Sequence, residues 1–299
     1  MKRPMAEDRV HGYFPPEGGK FRLSLGLKPL EFADWLEIDD QFEPELQEKR
    51  RLCAEKREAV FQDVGDTEHI QRELRDFVTD NLATHHAASH QRIENGMRVF
   101  GRDVRFGDDL PMIDTSLLAQ EDFLLLQPDG NGSYVLKVAA VCFPTRWKLA
   151  DKIGRPLTAI HGPVPGYKKN LERQMDRIFD RFTADKPLWR LNYSLLDDAT
   201  LHQPVKDRNL PSLDPLNAEE LGDRLWFRIE RQTLLRLPGS GTVVFGVRIH
   251  QKPLTQMITT PDRARDMASA LAEMPDDMRD YKAVVPIYDR LQDWLKTRM

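Results

Sequence analysis

The sequence predicts an α+β domain in which helices flank an antiparallel sheet rather than alternate with its strands. Three observations carry this. The elements run helices, hairpin, helix, strand, hairpin, helices; the strands come chiefly as hairpin neighbours; and no Pro/Gly/Ser-rich linker divides the 299 residues. Residues 1–30, with PPEGG and the short apolar LSLGLKPL, read as an extended lead-in that wraps onto the main unit. Residues 31–299 then form a single domain with helical N- and C-terminal extensions.

Taken in order, Pro44 stands at a plausible first helical position, and Leu46, Cys53 and Val60 recur at seven-residue spacing among charged residues, which predicts a surface helix over about 44–63. After Gly65-Asp66, Ile70, Leu74, Phe77, Val78 and Leu82 make an amphipathic stripe, the second helix. FLLLQ (123–127), the turn PDGNG and YVLKVAAVC (134–142) form an apolar hairpin whose second strand is continuous enough to be buried on both faces. A short helix is expected between Trp147 and Ile153, closed by Gly154 and Pro156. A third amphipathic helix is marked by Leu171, Met175, Ile178, Phe179 and Phe182. Strands follow at 188–196, 225–237 and 242–250, the last two joined by Pro238-Gly239-Ser240-Gly241, and C-terminal helices carry Ile287, Leu291, Trp294 and Leu295. A pocket between sheet and helix is the natural consequence.

Composition narrows the function. With 44 Lys plus Arg against 48 Asp plus Glu, the net charge of −4 supplies no global attraction to nucleic acid or anionic lipid. Cys53 and Cys142 form no CxxC, which excludes a disulfide scaffold, a zinc knuckle and a four-cysteine iron–sulfur centre. No apolar run approaches the ~18 residues of a membrane span, so a cytoplasmic protein without membrane or nucleic-acid partners is expected. The sequence also lacks GxGxxG after a strand, GxxxxGK[ST], HExxH and GxSxG. It therefore has no Rossmann element with which to take a hydride from NAD(P)H.

Three sets of residues stand out. Of His85, His86 and His90 in THHAASH, the pair His86 and His90 can share a helix face as a metal clip with no third ligand, or the cluster is a solvated helix end. His11, His69, His202 and His250 are isolated and read as structural. His161 follows the apolar run 157–160 and precedes Gly162-Pro163-Val164-Pro165-Gly166, a stiff mount for an axial ligand; the residues equally fit a histidine packed or hydrogen-bonded before the third helix. On the strand 225–237, alternation aligns Leu225, Phe227, Ile229, Arg231, Thr233 and Leu235, so Arg231 interrupts an apolar row. If the turn centres on Gly239-Ser240, Arg231 faces Arg248, and two like charges there call for an anion between them, unless the arginines lie on a solvent face or pair with Glu230 or nearby Asp residues. The first alternative predicts that Arg231→Met weakens anion binding and leaves the ligand-free fold as stable or more so. Trp226, Trp189 and Tyr193 read as core or as pocket lining.

The blocks CFPTRWKLADKIGRPLTAIHGPVPGY (142–167), RLNYSLLDDATLHQP (190–204) and LWFRIERQTLLRLPGSGTVVFGVRIHQKPL (225–254) resemble, in content, order and spacing, those of the haem-dependent oxidative N-demethylase, or dimethylamine monooxygenase, family, and the resemblance runs from about Leu27 to Leu295. It implies a PAS-like antiparallel sheet holding haem b. It further implies O2-dependent oxidation of a small secondary amine's methyl group to formaldehyde, as with dimethylamine, with electrons from separate NAD(P)H-dependent flavin and iron–sulfur reductase subunits. Tetrahydrofolate is the implied acceptor of formaldehyde. Carried over residue by residue, His161 becomes the proximal metal ligand, Arg231 and Arg248 contact propionate or folate carboxylates, and Trp226 completes the cofactor-binding set. Tyr193, Asn192 and Glu230 become the distal polar contacts, with Glu230 and Trp226 placed to hold a protonated amine. Tyr193 stands where the family pattern has Trp, and His202 where Phe is commoner, which leaves the substrate open. The competing expectation is a haem-binding PAS-type sensor, or a haem-free folate- or flavin-binding module in which His161 is structural; the absence of an output or kinase segment in these residues favours the enzyme.

Overall fold

A computed structural model describes residues 12–21, 25–107, 109–130, 132–162, 165, 178–179, 182–206, 213 and 218–299. Its strands in chain order are β1 (Lys28–Pro29), β2 (Phe61–Asp63), β3 (His90–Ile93), β4 (Gly96–Val99), β5 (Arg102–Arg105), β6 (Asp122–Pro128), β7 (Tyr134–Ala140), β8 (Leu188–Leu196), β9 (Trp226–Arg236) and β10 (Val243–Pro253). The large sheet has the order β1-β8-β9-β10-β6-β7-β2, every pairing antiparallel, and a small sheet has the order β3-β4-β5. The α+β expectation holds. β8 occupies the residues expected of it, and β9 and β10 form the expected hairpin with Arg236 opposite Val243.

Because residues directly opposite each other in an antiparallel pair share a face, the register sorts the large sheet into two sides. One side carries Arg190, Asn192, Glu230, Gln232, Leu234, Phe245, Val247 and Leu124. It packs on Leu149, Leu157, Phe179 and Phe182, with Trp147, Ile153 and Ile160 at the margin. The other side carries Leu191, Tyr193, Phe227, Ile229, Arg231, Thr233, Leu235, Val244, Arg248 and His250. It faces the helices Phe42–Glu55 and Glu68–His85 through Leu46, Ile70, Leu74, Val78 and Leu82, and the C-terminal helices through Met267, Leu271, Leu291 and Trp294. The lead-in contributes Phe14 to this second layer and hydrogen-bonds it from Gly18 and Phe21 to Asp266 and Glu273.

Several elements depart from the pattern read in the sequence. The first helix breaks at Lys56 and resumes as the four-residue helix Arg57–Val60, so the heptad's last member Val60 is helical, but Phe61–Asp63, expected as its continuation, forms a strand that pairs with β7. Only a 3-10 turn, Leu149–Asp151, forms between Trp147 and Ile153. Of the third helix, Leu171 and Met175 lie outside the described residues, Ile178 and Phe179 are helical, and Phe182 is not. The small sheet is absent from the sequence reading although its Asn95-Gly96 turn is a hairpin signal. Asn95 has φ 52°, and a side chain on Gly96 would sit 2.3 Å from the Val104 carbonyl oxygen.

Candidate functional site

His161 closes the four-residue helix Leu157–Ile160, whose Leu157 and Ile160 pack on the sheet side that bears Leu124 and Leu234. The imidazole Nδ1 lies 3.0 Å from the carbonyl oxygen of Leu157, one turn back. A carbonyl can only accept, so the proton resides on Nδ1 and Nε2 is the basic nitrogen. Burial, opposed by that hydrogen bond and joined by the positive charges of Lys152 and Arg190, lowers its pKa to about 4, which keeps the ring neutral. Pro163, Val164 and Gly166 of the expected mount lie outside the described residues.

The sheet beneath is polar at its centre. Glu230 of β9 accepts hydrogen bonds from Thr145 Oγ1 (2.7 Å), Asn192 Nδ2 (3.3 Å) and Gln232 Nε2 (2.8 Å). Burial pushes its carboxyl up, but these bonds and the charge of Arg228 bring it below the ordinary glutamate value. Lys282 reaches over from the C-terminal region, donating to the Tyr193 carbonyl (2.6 Å) and to Asn192 Oδ1 (3.4 Å), and burial lowers its pKa to about 8. Arg228 is fully buried and bonded to the carbonyls of Phe143 (2.9 Å), Leu201 (3.0 Å) and Thr200 (3.3 Å), which ties the flanking loops to the strand. On the middle strand β10, Phe245 and Val247 remain partly accessible. Both pack against the cluster of Leu149, Leu157, Phe179 and Phe182, on the side of the sheet that also meets Ile160, next to His161.

The other sequence-predicted residues divide between the two sides. Asn192 and Glu230 share the His161 side, as does Trp226 near its end, opposite Leu196 and Pro253. Tyr193 points the other way and stacks on Phe227, centroids 5.1 Å apart, so it cannot be a distal contact for a group held by His161. Among the described residues its buried hydroxyl has no hydrogen-bond partner, and burial pushes its pKa up to about 12.

Arg231 and Arg248 stand directly opposite each other, in the register the turn implied, but on the side away from His161. They are 2% and 1% exposed, and the carboxylates around them belong to the chain. Arg248 bonds Asp39 (2.6 Å) and both oxygens of Glu45 (2.8 and 3.0 Å); Arg231 lies 3.4 Å from Glu37 and donates to the Trp35 (3.0 Å) and Asp34 carbonyls. The propionate or folate role is thereby corrected: the sheet separates the pair from the His161 side, and its anions are supplied internally. Burial pushes the Glu37 carboxyl up, yet the hydrogen bond from His250 and the charge of Arg231 hold it at about 2.

Glu121, fully buried beside this network, is the exception. Burial raises its pKa to about 7, and among the described residues its Oε2 has no hydrogen-bond partner while Oε1 accepts from the Glu37 amide (2.9 Å). A carboxyl raised on folding stabilises fully below its unfolded value and loses that stability as pH rises through its folded one. Glu121→Gln keeps the acceptor and removes the charge. The variant should therefore melt higher than wild type at about pH 8 and converge with it towards about pH 5; a constant offset across that range would assign the effect to packing instead.

The histidine cluster is not a metal clip. His90 is buried with Nε2 on the Leu118 carbonyl (3.0 Å) and Nδ1 on Ser89 (2.8 Å), and no group of metal-ligating side chains occurs among the described residues. Sequence reasoning missed Lys152, Gln232, Arg228 and Lys282. The signal for two of them was available: Arg228, Glu230 and Gln232 alternate on one face of β9, a polar row more unusual than the single Arg231 on the other. Lys282 lies far along the chain and carried no such mark.

The chain matches the family described as haem-dependent oxidative N-demethylase, alpha subunit-like, over residues 26–292. The match spans most of the chain, which belongs to that family.

Proposed function

We propose that this family member is the haem-binding, substrate-oxidising subunit of an oxidative N-demethylase, with His161 as proximal ligand through Nε2. The observation that carries the reading is the neutral imidazole whose Nδ1 proton is committed to the Leu157 carbonyl, on the side of the sheet that bears Glu230. A carbonyl on one ring nitrogen is the usual outer partner of a metal-bound histidine, fixing tautomer and ring plane. The partly accessible apolar surfaces of Phe245 and Val247 and the cationic Lys152 beside His161 suit a flat, largely apolar macrocycle bearing carboxylates. In the same reading the fold is a PAS-like single domain, the cofactor is haem b and the protein is cytoplasmic; no helix among the described residues is long and apolar enough to cross a membrane.

When bound, the haem supplies O2 activation and oxidation of the substrate's methyl carbon. The chain supplies the rest. Glu230, held ionised by Thr145, Asn192 and Gln232, provides negative charge for a protonated secondary amine such as dimethylamine. Phe245 and Val247 provide the apolar floor that excludes water, and Trp226 an aromatic face at the margin. The balance is amine, O2, two protons and two electrons in; demethylated amine, formaldehyde and water out. The electrons come from NAD(P)H-dependent flavin and iron–sulfur subunits, consistent with an alpha-type subunit and a chain without a dinucleotide motif. Transfer of formaldehyde to tetrahydrofolate rests on the family resemblance alone.

The test is an absorbance spectrum of the purified chain followed by assay of formaldehyde from dimethylamine. Stoichiometric haem is expected, with formaldehyde released when a ferredoxin-type reductase and NADPH are both present and none with NADPH alone. A chain that takes up no haem defeats the reading, and turnover by the isolated chain with NADPH defeats the division of labour.

A further inference from the structure

The two sides of the large sheet treat their cations differently. On the side away from His161, Arg231 and Arg248 both meet carboxylates: Glu37 for the first, Asp39 and Glu45 for the second. On the His161 side, Lys152 meets none. Its ammonium lies 4.3 Å from the centre of the Trp147 ring and, among the described residues, makes no hydrogen bond or ion pair. The acids nearest in charge are Glu230, already bonded to Thr145, Asn192 and Gln232, and Asp151, which is exposed. Lys152 is close enough to His161 to oppose protonation of the imidazole. A half-buried ammonium with only an aromatic face for company is destabilising unless an anion joins it.

We propose that Lys152 is the carboxylate anchor of the His161 site, taking a propionate side chain of the haem. This rests on the haem reading above and replaces the role first expected of Arg231 and Arg248. Lys152 follows the 3-10 turn Leu149–Asp151, so its backbone is fixed by a buried Leu149 and its Nζ by Trp147. A planar apolar ligand contacting Ile153, Ile160 and Val247 then presents its polar edge to Lys152, whose ammonium has neither a hydrogen bond nor an ion pair among the described residues.

Apoprotein titrated with haemin and with haemin dimethyl ester, which lacks the propionate charges, isolates the interaction. Wild type should bind haemin about tenfold or more tightly over the ester, the size of one charge-assisted contact. Lys152→Met keeps the apolar stem against Trp147; it should bring that ratio close to one with ester affinity unchanged, and Lys152→Arg should restore it. An unchanged ratio in Lys152→Met, or an equal loss for both ligands, overturns the anchor while leaving His161 ligation intact. Uptake of neither ligand by wild type overturns the anchor and the haem reading together.

Discussion

Alanine at position 161 should abolish stoichiometric haem binding and leave the fold in place. The axial ligand is the strongest single contact a protein makes to a haem iron. Loss of merely an outer partner typically costs ten- to hundred-fold in metal affinity, so loss of the ligand itself should cost roughly 100-fold or more. The structural cost is small by comparison, because the Nδ1 bond joins His161 to its own helical turn and such a bond contributes about 1 kcal/mol. Haem titration by absorbance and a melt of the apoprotein measure the two separately, and added imidazole should restore part of the spectrum by entering the vacated position. Full haem binding with an unaltered spectrum would move the ligand elsewhere. His202 would then be the next residue to change, since its Nδ1 also meets a carbonyl, that of Cys142 at 2.8 Å.

The second large effect is on stability. Replacing Arg248 by methionine should destabilise the protein by about 3–5 kcal/mol, with or without haem, because Glu45 and Asp39 are left as buried charges without their cation. Arg231→Met should act in the same direction through Glu37, opposite to the effect expected of arginines that await a ligand. The pH dependence has a definite sign. Burial raises and Arg248 lowers the Asp39 pKa, the net being a depression, so this carboxylate contributes stability above its unfolded value of 3.8 that is lost as pH falls through the lower folded one. The Arg248→Met deficit is therefore greatest near neutrality and shrinks in acid. Urea melts across pH test this, and a variant that is as stable as wild type without haem yet binds it poorly would return Arg248 to the ligand.

The strand pattern is legible because alternation and turn chemistry are local: LWRLNYSLL reads as β8, and the Gly239-Ser240 turn sets Arg231 against Arg248 from spacing alone. Locality cannot supply the identity of the second layer. Glu37, Asp39 and Glu45 lie about two hundred residues before their arginines and sit in unremarkable acidic sequence, so the sequence implies negative charge beside the arginines without revealing that the chain itself provides it. His161 stands out through its rigid setting, yet the Leu157 carbonyl that sets its tautomer appears only once the short helix is folded.

Adjacent residues of β9 answer to opposite chemistries, Glu230 to the His161 side and Arg231 to the buried acids. The strand thus behaves as a partition whose two surfaces are keyed by parity. Removing or adding one residue between Gln232 and Arg236, with the hairpin turn held in place, would exchange odd and even positions in the part of β9 before it, turning Arg231 toward the His161 side and Glu230 into a nest of carboxylates. Length changes here are therefore tolerable only in pairs, so that variation confined to even steps is the imprint this sheet should leave on its relatives.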